Sequence, residues 1–444
     1  MNLLLQDPFQ VLKEYPERLS HTIPSGSRGL KFTSLQFTPD GNYLICGCNE
    51  GTIIIYDMDT MRPALVLGNM ITDGHVRLVQ DICINDIHNN LIMSSSRDTF
   101  VKIWNLNNVN DTTILKYDLK FDSTVWNAQW LSCTTEQEWI IVNIFEEKFT
   151  LCIDIVNDKR YPLEFNNNDN TIDQGYVLTS VVHPIHPDII VTGSSKGYIN
   201  FFKIDSLLPF NYKLIKTERV CNSNAKKLLF AKDGQRLFIN CSDRSIRQYQ
   251  ISVKFIDPET QITLSLEHKY QDVINRLQWN DIKLSNNSAD YLVASPRGSS
   301  NHELYIWETS NGSLVRVLEG AEEELLMIDW NYKKMTIAAI GLESGDIYCW
   351  SLILQPKWSA LAPDFEEVEE NIDYQEKEDE FDDILENATM TQDSKYTMAP
   401  LDKETDPIDL VTIDPCDVRG NKQLQAFILP TDYQSILMLQ NGSL

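Results

Sequence analysis

Basic residues are scarce in this chain: 38 Lys and Arg stand against 64 Asp and Glu, a formal net charge of −26 over 444 residues. Coating a whole surface with nucleic acid requires cations to neutralise phosphates. This balance excludes that arrangement and leaves room for a local basic patch. Also missing is any apolar run of 18 residues, so no segment reads as a membrane-spanning helix. The opening MNLLLQDPFQ has no basic start, and Asp7 and Pro8 break its apolar run, so it does not read as a secretory signal. The nine cysteines, at positions 46, 48, 83, 133, 152, 221, 241, 349 and 416, show no CxxC spacing. Most lie in apolar, strand-like runs, where a reduced thiol packs as a small hydrophobe; that usage fits a cytosolic or nuclear compartment. The glycines form no GxGxxG or GxxxxGK frame, and GxSxG and HExxH are absent. No cofactor and no enzymatic chemistry are signalled.

What the chain does have is a repeat. Tyr56, Trp104, Cys152, Phe202, Tyr249, Trp307 and Trp350 recur at spacings of 43 to 58 residues, with Cys152 the one departure from an aromatic side chain. A polar turn residue stands six positions earlier in several copies: Glu50 before Tyr56, Asp98 before Trp104, Asp243 before Tyr249. Self-similarity at this period marks an array of WD-type repeats and an all-β, seven-bladed β-propeller. The first copy reads as alternating residues around Leu35 and Phe37, the turn TPDGN, the buried strand YLICGC, the turn NEGT and the strand IIIYD. The third copy, around VWNAQWL, is the most degenerate. Open blades expose unpaired strand edges, so the chain ends are expected to close the ring. A strand from residues 3–14 is expected to complete the last blade begun by residues 324–353.

The expected organisation is an N-terminal closing segment (1–20), the propeller (21–355), an acidic segment (356–386) and a tail (387–444) with a short apolar island near 406–416. Residues 364–386 hold 13 acids and one base, Lys377, so this run alone carries −12. A charge block is often no more than a solvating tail. Phe365, Tyr374 and Phe381 are spaced through it, however, and a solvating tail has no use for them. Carboxylates flanking aromatic anchors suit a partner with a basic-rimmed groove.

Other motifs have structural readings. Gly74-His75 with Asp98 and Trp104 forms the best WD-type set, in which Asp98 is expected to hydrogen-bond His75 and hold the blade turn. His183-Pro-Ile-His186-Pro has the look of a metal pair, but no third ligand lies near it, and the prolines favour a turn. No metal site is expected. Cys46 and Cys48 flank Gly47 on one strand face and read as core.

The segment WSALAPDFEEVEENIDYQEKEDEFD (358–382) resembles the stretch after the propeller in the retinoblastoma-binding-protein-5 subunit of COMPASS/MLL-type histone H3 lysine-4 methyltransferases. The resemblance continues through NLLLQDPF and YPE near the N-terminus, GCNEGTIIIYD, SDRSIRQY, VINRLQW, LYIWE and EEELLMIDW. The Asn-rich inserts resemble fungal versions. It implies a nuclear, chromatin-associated scaffold without catalysis. Phe365, Val368, Glu370, Asn371 and Ile372 would contact the catalytic SET domain. Tyr374, Glu376, Glu378, Phe381 and Asp382 would contact the SPRY domain of an Ash2-type subunit. Leu410, Val411, Ile413, Asp414 and Pro415 would dock on a second seven-bladed WD-repeat subunit. Arg244, Arg276 and Arg297 match positions that touch nucleosomal DNA, while a fourth such position holds Glu322, a reversal of charge. The competing readings are a generic WD-repeat adaptor with an inert acidic tail and, less in keeping with the residues, a propeller enzyme.

Overall fold

The computed structural model describes residues 15–352, apart from residues 26–28, 69–73, 86, 89, 109–113, 132–137, 166–172, 208–209, 257–258, 273–274, 286–287, 299–301 and 332. Within that span, 28 strands form seven four-stranded antiparallel sheets. Blade 1 runs outward in chain order as β2 (Phe32–Phe37), β3 (Tyr43–Cys48), β4 (Ile53–Asp57) and β5 (Arg62–Leu67). The next five blades repeat this order. Their innermost strands are β6 (Val79–Ile84), β10 (Val125–Leu131), β14 (Val177–Val182), β18 (Ala225–Phe230) and β22 (Gln278–Leu284). Blade 7 starts with β26 (Leu325–Asn331), β27 (Thr336–Gly341) and β28 (Ile347–Ser351). Each innermost strand touches the next, and β26 touches β2, so the ring is closed. This is the expected all-β, seven-bladed propeller.

The closing strand lies further along the chain than expected. The outer position of blade 7 is filled by β1 (Arg18–Ile23), which pairs antiparallel with β28. Residues 3–14 lie outside the described residues. In the segment RLSHTI, Leu19 packs on the blade 7 core and Ile23 is buried, and Ser20 Oγ donates to Cys349 O at 2.9 Å. Glu17 pairs with Arg316 at 3.4 Å, and the ring of Tyr15 meets Tyr291 at 5.4 Å. Blades 7 and 1 are also joined directly: the Asp329 carboxylate accepts from Phe37 N at 2.5 Å, and Lys334 meets Asp59 at 2.6 Å.

The repeating landmarks all fall on third strands, and all seven are buried. Each faces an aliphatic partner on its second strand: Leu44 opposite Tyr56, Ile92 opposite Trp104, Ile141 opposite Cys152, Ile190 opposite Phe202, Leu237 opposite Tyr249, Leu292 opposite Trp307, and Ile337 opposite Trp350. Next to six of the seven, the outer strand carries an extra residue, a β-bulge: Ala64, Lys116, Ile215, Glu267, Val315 and Ser20. Bulges sharpen strand twist and accompany the ring-bearing copies. Beside Cys152 the register runs without a break. The degeneracy of the third repeat is therefore a local change in ladder geometry as well as in residue type.

Candidate functional site on the face where the inner strands begin

A second set of bulges lies at the start of every inner strand. The register slips between Phe32 and Ser34, Val79 and Asp81, Val125 and Asn127, Val177 and Thr179, Ala225 and Lys227, Trp279 and Asp281, and Leu325 and Ile328. The extra residues, Thr33, Gln80, Trp126, Leu178, Lys226 and Asn280, with Leu326 and Met327 from blade 7, line a cavity of about 400 Å³. The fold thus uses one repeated irregularity to present a side chain from every blade at one mouth of the channel.

Pairing register places the predicted DNA-facing arginines on this same face. Gln278 opens β22 and lies opposite Arg297, and Arg276 precedes it by two residues. Ala225 opens β18 and lies opposite Cys241, so the turn that follows, with Arg244, is at the same end. All three arginines are exposed. None enters the ion pairs found among the described residues. Lys226, in the cavity wall, has its pKa lowered first by burial and then by the charge of Arg297, so the two cations are neighbours. Glu322 is exposed too.

Arg244 occupies an unusual backbone position. It stands five residues before Tyr249, with φ of 70°. The equivalent positions in other blades are Gly51, Gly197 and Gly345, all left-handed, and Thr99, with φ of 73°. A side chain in left-handed backbone costs about 1 kcal/mol where glycine costs little. Arg276 is also left-handed, at φ 51°.

Further down the channel, the charges are paired between blades. Lys227 meets Asp281 at 2.6 Å, and Lys283 meets Asp329 at 2.8 Å. The Asp281 carboxylate also accepts from Ile328 N at 3.0 Å, so it joins blades 5, 6 and 7. Asp81, across the channel, is pushed up to about 6, first by burial and against the pull of Lys227 and Lys283. On the neighbouring arc, Trp126 and Phe145 are both exposed and stack at 5.8 Å. Sequence reading missed Lys226, the Trp126–Phe145 pair and the charged channel. The sequence signal was weak: Trp126 breaks the alternation of VWNAQW, a mark of a bulge that only the register reveals.

The WD-type set is assembled as expected. His75 Nδ1 lies 2.9 Å from Asp98 Oδ2, His75 Nε2 lies 2.8 Å from Ser94 Oγ, and Trp104 Nε1 donates to Ser94 Oγ at 2.9 Å. Burial pushes the Asp98 carboxyl up, but the hydrogen bond and charge of His75, with the N–H groups of Val76 and Phe100, hold it at about 2. In the HPIHP segment, His183 Nδ1 accepts from Ile185 N at 3.2 Å and His186 N at 3.1 Å, which makes it a turn-holding residue. Burial is the first cause that lowers its pKa, to about 4. Among the described residues, no group of three or more His, Cys, Asp or Glu could hold a metal ion. Cys46 and Cys48 share one core cluster, as their spacing implied. The predicted contacts between Phe365 and Asp382 and those between Leu410 and Pro415 lie outside the described residues.

Known proteins provide an independent comparison. A family model for the WD domain, G-beta repeat, matches residues 19–57 and 68–105. "COMPASS component SWD1" of Saccharomyces cerevisiae is 48% identical over 448 residues, covering 100% of both chains. "Set1 complex component swd1" of Schizosaccharomyces pombe is 33% identical, over 89% of this chain and 93% of that one. The Drosophila melanogaster "Retinoblastoma-binding protein 5 homolog" is 28% identical, over 86% and 72% respectively. Among solved structures, the crystal structure of the Myceliophteria thermophila Cps50 (Swd1) β-propeller domain superposes with a TM-score of 0.65 at 28% identity, covering 76% of this chain and all of that one.

Proposed function

Because the chain belongs to the family of SWD1 and retinoblastoma-binding protein 5, we propose that it is a non-catalytic scaffold subunit of a nuclear COMPASS-type complex that methylates lysine 4 of histone H3. The observation that carries this reading is the likeness to COMPASS component SWD1, which runs the full length of both chains. In this reading the propeller is the rigid part. The acidic segment does the regulatory work: Phe365, Val368, Glu370, Asn371 and Ile372 lie on the SET domain, and Tyr374, Glu376, Glu378, Phe381 and Asp382 on the SPRY domain. Leu410, Val411, Ile413, Asp414 and Pro415 hold a second WD-repeat subunit.

Activation then needs no catalytic residue from this chain. A SET domain samples open and closed arrangements of its groove, and a partner that binds the closed one shifts the population toward it. Each tenfold gain requires about 1.4 kcal/mol of differential binding. Arg244, Arg276 and Arg297 add phosphate contacts on the nucleosome, where a guanidinium fork fits two phosphate oxygens. Their exposure and their freedom from described ion pairs support that role.

The test is a reconstituted H3 lysine-4 methylation assay with SET-domain and SPRY-domain partners. It compares the full chain, a chain ending at residue 360, and the Phe365→Ala/Phe381→Ala variant. Loss of stimulation on truncation, with the propeller still folded, is the expected result. Equal stimulation by the truncated chain would make the tail a solvating appendage and favour the generic-adaptor reading.

A further inference from the structure

We propose that the channel mouth lined by the inner-strand bulges is a docking site for an extended peptide of a partner protein, one that carries a carboxylate beside apolar side chains. The blades do not present equivalent groups there. Three bulge residues are spent on the fold itself. Thr33 Oγ1 donates to Val79 O at 2.8 Å, Gln80 Oε1 accepts from Arg97 Nε at 3.2 Å, and Asn280 Nδ2 donates to Leu325 O at 3.0 Å. The remaining ones face the cavity with their chemistry unspent. Trp126, Leu178 and Lys226 stand on the consecutive inner strands β10, β14 and β18, and Leu326 of blade 7 adds to the wall. One arc thus offers an aromatic, an aliphatic and a cationic group in order around the ring.

The aromatic end of the arc is an apolar surface without a cover. Trp126 is 38% exposed, and the Phe145 ring stacked on it is 43% exposed. Apolar groups left open beside a concave site mark a place where another chain docks, and a tryptophan in such a position supplies much of the binding energy.

Charge decides what the peptide must carry. The wall holds three cations, Arg97, Lys226 and Lys227, and two carboxylates, Asp81 and Asp281. Lys227 and Asp281 neutralise each other at 2.6 Å. Asp81 accepts from Ile82 N at 3.0 Å and lies in the field of Lys227 and Lys283. Arg97 and Lys226 therefore outnumber the one carboxylate left. Lys226 is the group that asks for an anion. Its Nζ donates to Trp279 O at 3.1 Å, and it enters no ion pair among the described residues. Burial and the charge of Arg297 both work against its ammonium, and a carboxylate placed between the two cations offsets both effects. Duplex DNA offers its phosphates on a convex surface and meets the exposed arginines of the rim. The side chain of Asp or Glu fits a cavity of about 400 Å³ whose other walls are apolar. On an extended peptide, side chains of one face recur at every second residue. The motif that fits is an acid seated at Lys226, with an apolar residue two positions away over Leu178 or Trp126.

The test pans random peptides displayed on phage against the full chain, then measures selected peptides with a fluorophore attached by anisotropy. Peptides that bind the parent and are lost on Lys226→Glu should share an acid two positions from an apolar residue. Their affinity should fall by about tenfold on Lys226→Glu and on Trp126→Ser, and hold on Val156→Ser, which alters an exposed apolar residue at the other end of blade 3. Changing the peptide's acid to lysine should abolish binding to the parent and restore it to Lys226→Glu, a recovery that damage to the fold cannot produce. Circular dichroism and melting check each variant. The proposal is overturned if no selected peptide depends on both Lys226 and Trp126, if the dependent peptides are basic, or if the charge swap recovers nothing. It is also overturned if a DNA duplex loses affinity on Lys226→Glu while every peptide keeps its own, which would make the mouth a phosphate contact.

Discussion

At the scale of single residues, Arg244 and Asp98 show two ways in which a turn is held. Arg244 adopts a backbone that Gly51, Gly197 and Gly345 adopt in other blades. Arg244→Gly should therefore raise the stability of the propeller by about 1 kcal/mol, read by urea unfolding, while weakening nucleosome binding. If the variant is both less stable and unchanged in binding, the strained arginine has no functional meaning. Asp98 is a different case, because its charge stabilises the turn. Its folded-state pKa of about 2 lies below the ordinary carboxylate value, so its contribution is present above about pH 4 and fades as the pH falls toward 2. Asp98→Asn should accordingly be less stable than the parent by about 2 kcal/mol near neutrality. The gap should shrink through the acid range, and melting curves at several pH values would read it. A gap independent of pH would mean that the His75 contact matters through shape alone.

At the scale of elements, neighbouring blades are joined by side chains that reach from one inner strand to the next backbone. Asp281 is the clearest example, since one buried carboxylate binds Lys227 of blade 5 and the backbone of blade 7. Replacing it with alanine leaves a lysine unpaired and an N–H unsatisfied, a loss of about 3 kcal/mol or more. Thermal unfolding would show this as a large fall in Tm, and a fall of only a degree or two would mean that water replaces the carboxylate. The repeat was legible in the sequence because each landmark must be a large apolar group facing an aliphatic partner on the second strand. The inner-strand bulges were not legible. They depend on how seven strands converge on one axis, and Thr33, Gln80, Lys226 and Asn280 carry no shared residue type that would mark them.

At the scale of the whole molecule, closure decides stability, because blade 7 without its outer strand loses the ladder on β28 and the packing of Leu19. The strand that closes it is Arg18–Ile23. A chain beginning at residue 15 should melt close to the parent, whereas one beginning at residue 24 should melt many degrees lower. Equal melting of the two would show that blade 7 holds with three strands. The face carrying Arg244, Arg276 and Arg297 also sets a whole-molecule observable. Three phosphate contacts give a contribution of about −2.7 to the slope of log K against log salt, set against a net charge of −26 that opposes any wider contact.

The period, the seven landmarks, the Asp98–His75 bond and the burial of Cys46 and Cys48 were fixed by local chemistry, in which each residue's neighbours along the chain already state its role. Register and ring closure had to be seen in three dimensions. Which N-terminal segment fills blade 7 depends on which strand reaches β28 with the right face inward, and residues 3–14 and 18–23 are too close in sequence for pattern alone to choose. The convergence of Arg244, Arg276, Arg297 and Lys226 on one face has the same cause. These residues come from different strands and loops, and only antiparallel pairing sets which strand ends meet.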